Sequence, residues 1–179
     1  MPEPPAFIAD SELLSSAYRL ARSAHHGPSR EGDTDIDHPL AVAEVLEENG
    51  FEEPIVAAGL LHDVVEDTSI DVEAIEKSFG SEVGRLVAEM TENPEIESYE
   101  ERKAEHRSRV ARDPRAAAIY AADKLASTRE LAGGGGVSEE KLDHYLKTLR
   151  MLCQRYPELP FLPQLREELE GLAASRRPD

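Results

Sequence analysis

The chain has 179 residues, 40% of them hydrophobic, and a formal net charge of −17 at pH 7. That length predicts one domain over 1–179 with a sizeable core, and the acidic balance argues against nucleic acid as a partner, since duplex binding draws on surplus Lys and Arg. Cys153 is the single cysteine, which excludes a disulfide framework or thiolate metal cluster; with no signal-like start and no apolar run long enough for a bilayer, the expected home is a reducing cytoplasm without membrane attachment.

Ser11 is placed to cap a first helix running to about His26, with Leu13, Leu14, Ala17, Leu20, Ala21 and Ala24 on one stripe. Gly27 to Asp37 holds Gly, Pro, Ser and four acids without periodicity and reads as a loop. A second helix is expected from His38-Pro39 to Asn49, stopped at Gly50. A third begins near Pro54 and runs through Leu60-Leu61-His62-Asp63-Val64-Val65-Glu66-Asp67-Thr68. Short helices follow at about 71–78 and 81–91. Ser98 with Glu101 forms a capping box for another, which Pro114 interrupts or restarts. Arg115 to Leu131 is strongly helical, Gly133–Gly136 breaks it, and further helices are expected at about 138–155, burying Leu142, Tyr145, Leu146, Leu149 and Leu152, and from Gln164. No segment alternates with period two for long enough to make a strand. The fold class is all-α, with a core at about 10–155 and a C-terminal helical extension at 156–179.

The stretch from His62 to Asp67 is the most telling. On one helix, Asp63 and Asp67 stand at i,i+4 and Asp63 and Glu66 at i,i+3, so three carboxylates share one edge. Their repulsion grows as the flanking apolar residues exclude water, and a bound cation offsets it. A His-Asp pair offers such an ion one nitrogen and one oxygen. Two further residues sit oddly for structure alone: His38 opens a helix that then turns apolar, and Asp123 lies in Ala-Ala-Ala-Ile-Tyr-Ala-Ala-Asp-Lys-Leu-Ala, where burial makes an unpaired carboxylate costly.

Together, a His at a helix start, a His-Asp pair on the next helix and an Asp on a later alanine-rich helix resemble the HD superfamily of metal-dependent phosphohydrolases. His38-Pro39-Leu40-Ala41-Val42-Ala43, Ala58-Gly59-Leu60-Leu61-His62-Asp63-Val64-Val65-Glu66-Asp67-Thr68, Phe79-Gly80 and Ala122-Asp123-Lys124-Leu125 are similar to the RelA/SpoT-type alarmone hydrolase domain and its small stand-alone relatives, over about residues 10–155. The resemblance implies a manganese-dependent enzyme that removes pyrophosphate from the 3′ position of guanosine alarmones such as ppGpp. It implies His38, His62, Asp63 and Asp123 as metal ligands, a mixed set suited to manganese, iron or zinc, and Glu66 and Asp67 as the acidic pair of hydrolysis. For the substrate's phosphates it points to Arg30, in the loop before His38, and to Lys103, in a helix that concentrates basic residues. Most of that basic cluster reads as a solvated face pairing with Glu100, Glu101 and Glu105. Ser127 takes the nucleotide-contacting position.

The chain departs from this pattern in the part that recognises substrate. The expected Arg-Lys is Arg30-Glu31, the loop reads Gly32-Asp33-Thr34-Asp35-Ile36-Asp37, a Lys is replaced by Tyr120, and an Asn by Ser127. A lost buried polar contact costs about 1–3 kcal/mol, enough to move substrate preference by one to two orders of magnitude. Two alternatives follow: the same chemistry on another nucleotide or small phosphoester, or a non-catalytic HD module that binds a nucleotide or a protein partner.

Overall fold

A computed structural model describes residues 4–24, 36–133 and 137–175. Among them there is no strand, and eleven helices follow one another along the chain. They divide into two compact units, Met1–Thr91 and Glu92–Asp179.

The first unit holds α1 (Ala6–Ala9), α2 (Glu12–Ala24), α3 (Asp37–Glu48), α4 (Glu53–Leu61), α5 (Val64–Asp67), α6 (Val72–Phe79) and α7 (Ser81–Met90). Helix α4 is its core element. Every residue from Ile55 to Leu61 is buried, which fits a helix apolar on all sides, and α2, α3 and α7 pack around it. Ser11 begins α2 as its sequence suggests: its Oγ accepts the Leu14 N–H at 3.2 Å and donates to Glu53 at 3.0 Å, tying the starts of α2 and α4 together. Gly50, at φ +74°, ends α3 in the left-handed region, and the Phe51 N–H closes the turn on the Leu46 carbonyl at 3.1 Å. Gly59 sets how closely α3 and α4 approach. A Cβ there would stand 2.7 Å from Leu46 Cδ1 and 3.4 Å from Val42 Cγ1.

The second unit holds α8 (Tyr99–Val110), α9 (Pro114–Ala132), α10 (Glu139–Arg155) and α11 (Leu162–Ala174). Three of the four starts are capped by side chains: Ser98 accepts from Glu101, Asp113 from Arg115 and Ser138 from Lys141. Pro114 restarts the chain at the first turn of α9, where its missing N–H costs nothing. Residues 116–126 of α9 are buried throughout, and α8, α10 and α11 contact it. Gly134–Gly136, the rest of the glycine break, lie outside the described residues.

Candidate metal and hydrolytic site

The expectation of one continuous helix through the His-Asp motif is corrected here. Helix α4 stops at Leu61, His62 and Asp63 form a turn, and α5 begins at Val64. The cause is local. His62 Nδ1 lies 2.8 Å from the Gly59 carbonyl, the acceptor that the Asp63 N–H would take in an unbroken helix, so side chain and backbone compete for it. Asp63 sits at φ −98°, ψ −8°, flatter than a regular helical residue. Beyond the turn, the N–H groups of Glu66 and Asp67 both donate to the Asp63 carbonyl, at 3.1 and 3.0 Å. Thr68 closes α5 by donating to the Val64 carbonyl at 2.8 Å.

This turn presents the imidazole for ligation. A carbonyl only accepts, so His62 Nδ1 carries a proton and Nε2 is the ring atom left to face Asp63. Fixing a ligand's orientation through its other ring nitrogen is the usual support for a metal-bound histidine. His62 is 3% exposed, and its Nε2 lies 3.0 Å from Asp63 Oδ2. At that spacing the two atoms can share a proton on Nε2 or, with Nε2 unprotonated, would offer a cation one nitrogen and one oxygen. His38, in the first turn of α3, brings its ring to 5.3 Å from that of His62 at an interplanar angle of 54°, with a nitrogen of each within 4.8 Å of one another. The close approach of α3 and α4 at Gly59 makes this pairing possible. The C-terminal end of α4, negative by its peptide dipoles, adds a favourable field for a cation. The donor set of two imidazoles and a carboxylate thus fits a divalent ion. Glu66 and Asp67 are exposed on α5, one turn away.

In the second unit, Asp123 lies mid-way along α9, 8% exposed. Its Oδ2 accepts from Lys124 Nζ at 2.5 Å and its Oδ1 from Ser127 Oγ at 3.2 Å. Lys124 is itself buried, with Nζ 4.6 Å from the centre of the Tyr120 ring and 5.2 Å from that of Tyr145. Burial alone would push the lysine pKa down; Asp123 and the two tyrosines outweigh it and hold it above the usual lysine range. Lys103 ion-pairs with Glu92, which also takes Arg102 Nε at 2.9 Å. Burial pushes the Glu92 pKa up, but hydrogen bonds from His106, Lys103 and Arg102 hold it well below the ordinary carboxylate range. Of the residues expected to meet substrate, Lys103 and Ser127 are therefore engaged within the protein. Arg30 lies outside the described residues.

Sequence reasoning missed a buried polar group on α10. The expected apolar face of Leu142, Tyr145, Leu146, Leu149 and Leu152 is rotated: Leu142 and Leu146 are half-buried, while His144 and Thr148 are buried. His144 meets Arg107 from α8 and Tyr120 from α9. Burial pushes the Tyr120 hydroxyl up to about 12. The missed signal was positional, since 144 and 148 continue the helical stripe through 152.

Among proteins of known name, the chain is 37% identical over 128 residues to a probable GTP pyrophosphokinase of Mycobacterium leprae, a match covering 69% of this chain and 16% of that protein. It is 39% identical over 126 residues to a probable guanosine-3′,5′-bis(diphosphate) 3′-pyrophosphohydrolase of Synechocystis, covering 66% of this chain and 17% of that one. The chain thus spans about a sixth of the length of these two relatives. A solved structure of a metazoan SpoT ortholog, described as hydrolysing ppGpp, superposes with a TM-score of 0.73 at 27% identity, over 93% of this chain and 96% of that one. The sequence profile of the HD domain matches residues 17–149, and the chain belongs to the HD-domain family.

Proposed function

We propose that the chain is a cytoplasmic, manganese-dependent hydrolase of phosphorylated nucleotides, working as one HD-type domain and removing pyrophosphate from the 3′ position of ppGpp. The observation that carries this reading is the His62 imidazole. It is pinned through Nδ1 to the Gly59 carbonyl and faces Asp63 at 3.0 Å, with the His38 ring beside it. In this reading His38, His62, Asp63 and Asp123 hold the metal. A bound divalent ion supplies Lewis acidity, making water a better nucleophile and polarising a phosphoryl oxygen. Glu66 and Asp67 orient the attacking water, take its proton and return one to the leaving oxygen. Arg30, Lys103 and Ser127 meet the substrate's phosphates and nucleoside. The names of the Synechocystis and metazoan relatives support the substrate class, and hydrolysis rather than synthesis follows from the His-Asp cluster.

The direct experiment is release of pyrophosphate from ppGpp with and without manganese, in the native chain and in Glu66→Ala. The expected result is manganese-dependent turnover that falls by about 10²–10⁴-fold in Glu66→Ala while bound metal is retained. Unchanged turnover in the variant refutes the role of Glu66. A second reading keeps the chemistry and changes the substrate to another nucleotide or small phosphoester. It is favoured by Ser127 and Lys103 being turned to Asp123 and Glu92, and orthophosphate release from other nucleotides with ppGpp inert would select it. Metal binding without turnover of any phosphoester would instead mark a binding module.

A further inference from the structure

Helices α8 and α10 border a cleft of about 80 Å³, lined among others by Tyr99, Lys103, Arg107, His144 and Lys147. That is room for a small ion, well below the roughly 300–1,000 Å³ of sites that enclose a drug-sized ligand. Its cations are not equivalent. Lys103 has the Glu92 carboxylate, and Lys147 is held between Glu100 at 3.0 Å and Asp143 at 2.8 Å. Arg107 Nη1 instead donates to His144 Nδ1 at 2.5 Å. A guanidinium only donates, so Nδ1 carries the lone pair and the ring proton sits on Nε2, 3.3 Å from the Tyr120 hydroxyl. That imidazole is neutral: burial first, then the charges of Lys124, Lys103 and Arg107, bring its pKa down to about 2, against a smaller opposing effect of Asp123.

Arg107 is therefore a half-buried cation whose hydrogen-bond partner among the described residues carries no charge. The bond to His144 uses one of its five N–H donors and fixes the plane of the fork. A planar fork of fixed orientation with donors to spare is the geometry that matches a tetrahedral or carboxylate oxyanion. The acids of the cleft do not take that place: Glu100 and Asp143 are engaged by Lys147, and Glu140 is exposed to solvent. We infer that the cleft between α8 and α10 binds a phosphate-class oxyanion, held by the Arg107 guanidinium with His144 as its fixed support. Lys103, assigned above to the substrate, lines the same cleft. The oxyanion is thus either a phosphate of the nucleotide, which rests on the proposed function, or a free phosphate, which does not.

The test titrates the full-length chain, loaded with diamagnetic Mg²⁺, with orthophosphate and reads the His144 ring nitrogens by NMR. The expected result is a saturable shift of Nδ1 in the native chain and binding at least tenfold weaker in Arg107→Gln. Arg107→Lys guards against a folding artefact. It keeps a charge beside His144 but loses the fork, and with a native circular dichroism spectrum its affinity should fall between the other two. No shift in the native chain, or equal affinity in native and Arg107→Gln, overturns the proposal. A tenfold rise in KM for ppGpp with kcat unchanged in Arg107→Lys would identify the oxyanion as the nucleotide's own, and an unchanged KM would identify a free anion; either keeps the site. The phosphate titration needs no turnover, so an enzyme inert toward ppGpp would sink the proposed substrate and leave this site standing.

Discussion

Helices α4 and α9 are the buried axes of their units, and they carry chemistry in opposite ways. Helix α4 is apolar from Ile55 to Leu61, and its candidate ligands wait until the last carbonyls, where the chain turns and the backbone can still accept from His62. Helix α9 places a carboxylate and an ammonium side by side in its middle, between buried alanines. At a helix end solvent helps to hold charge, and the negative C-terminal end of α4 favours a cation beside its acids. In mid-helix only another side chain can, and Asp123 is accordingly bound by Lys124 and Ser127. The same residue type, Asp, thus stands half-exposed beside an imidazole at the end of one helix and is held by an ammonium and a hydroxyl in the middle of the other.

Removing one charge from each helix gives the sharpest contrast. In metal-free protein, Lys124→Met leaves the Asp123 carboxylate buried without its counter-charge and is expected to cost about 3–5 kcal/mol in urea unfolding. Asp63→Asn, at the half-exposed end of α4, should change metal-free stability by less than about 0.5 kcal/mol yet abolish metal binding by calorimetry. Equal stability losses in the two variants would erase the distinction. Next in size is Gly59→Ala. Its methyl group must displace Leu46 Cδ1, which lies 2.7 Å away, so overpacking should cost about 1–3 kcal/mol. Because it spreads α3 from α4, it should also weaken metal binding; native affinity would show that the His38–His62 pairing does not depend on this contact.

A further contrast is in pH dependence, and it belongs to the second unit. The His144 pKa is about 2 in the fold against 6.5 for the free side chain. The unfolded chain therefore binds the extra proton between those values, and the stability contributed by the neutral ring is complete above 6.5 and lost as pH falls. Glu92, also lowered, adds a loss of the same sign below its ordinary value of 4.5. Thermal melts should show the midpoint falling from pH 6.5 downward, and His144→Gln should flatten the upper part of that fall. An identical profile in the variant would remove His144 as its source.

Most helices were legible because caps and stripes are local. Ser11 and Ser98 take the N–H three residues on, as their positions predict, and Pro114 starts a helix rather than breaking one. The break after Leu61 was not legible, since it turns on which donor occupies the Gly59 carbonyl, and periodicity carries no such information. His144 escaped for a related reason. Its partners Arg107 and Tyr120 come from two other helices, and a polar residue on a buried stripe cannot be distinguished by spacing from one at its edge.

The peptide group of Asp63 receives the N–H of both Glu66 and Asp67 while the same residue's side chain faces His62. The acidic pair therefore hangs from the residue that offers the carboxylate, with no flexible joint between them. A small shift of the end of α4 should carry all three acids together, so breathing of the apolar core moves the three carboxylates as one wedge and preserves their mutual spacing.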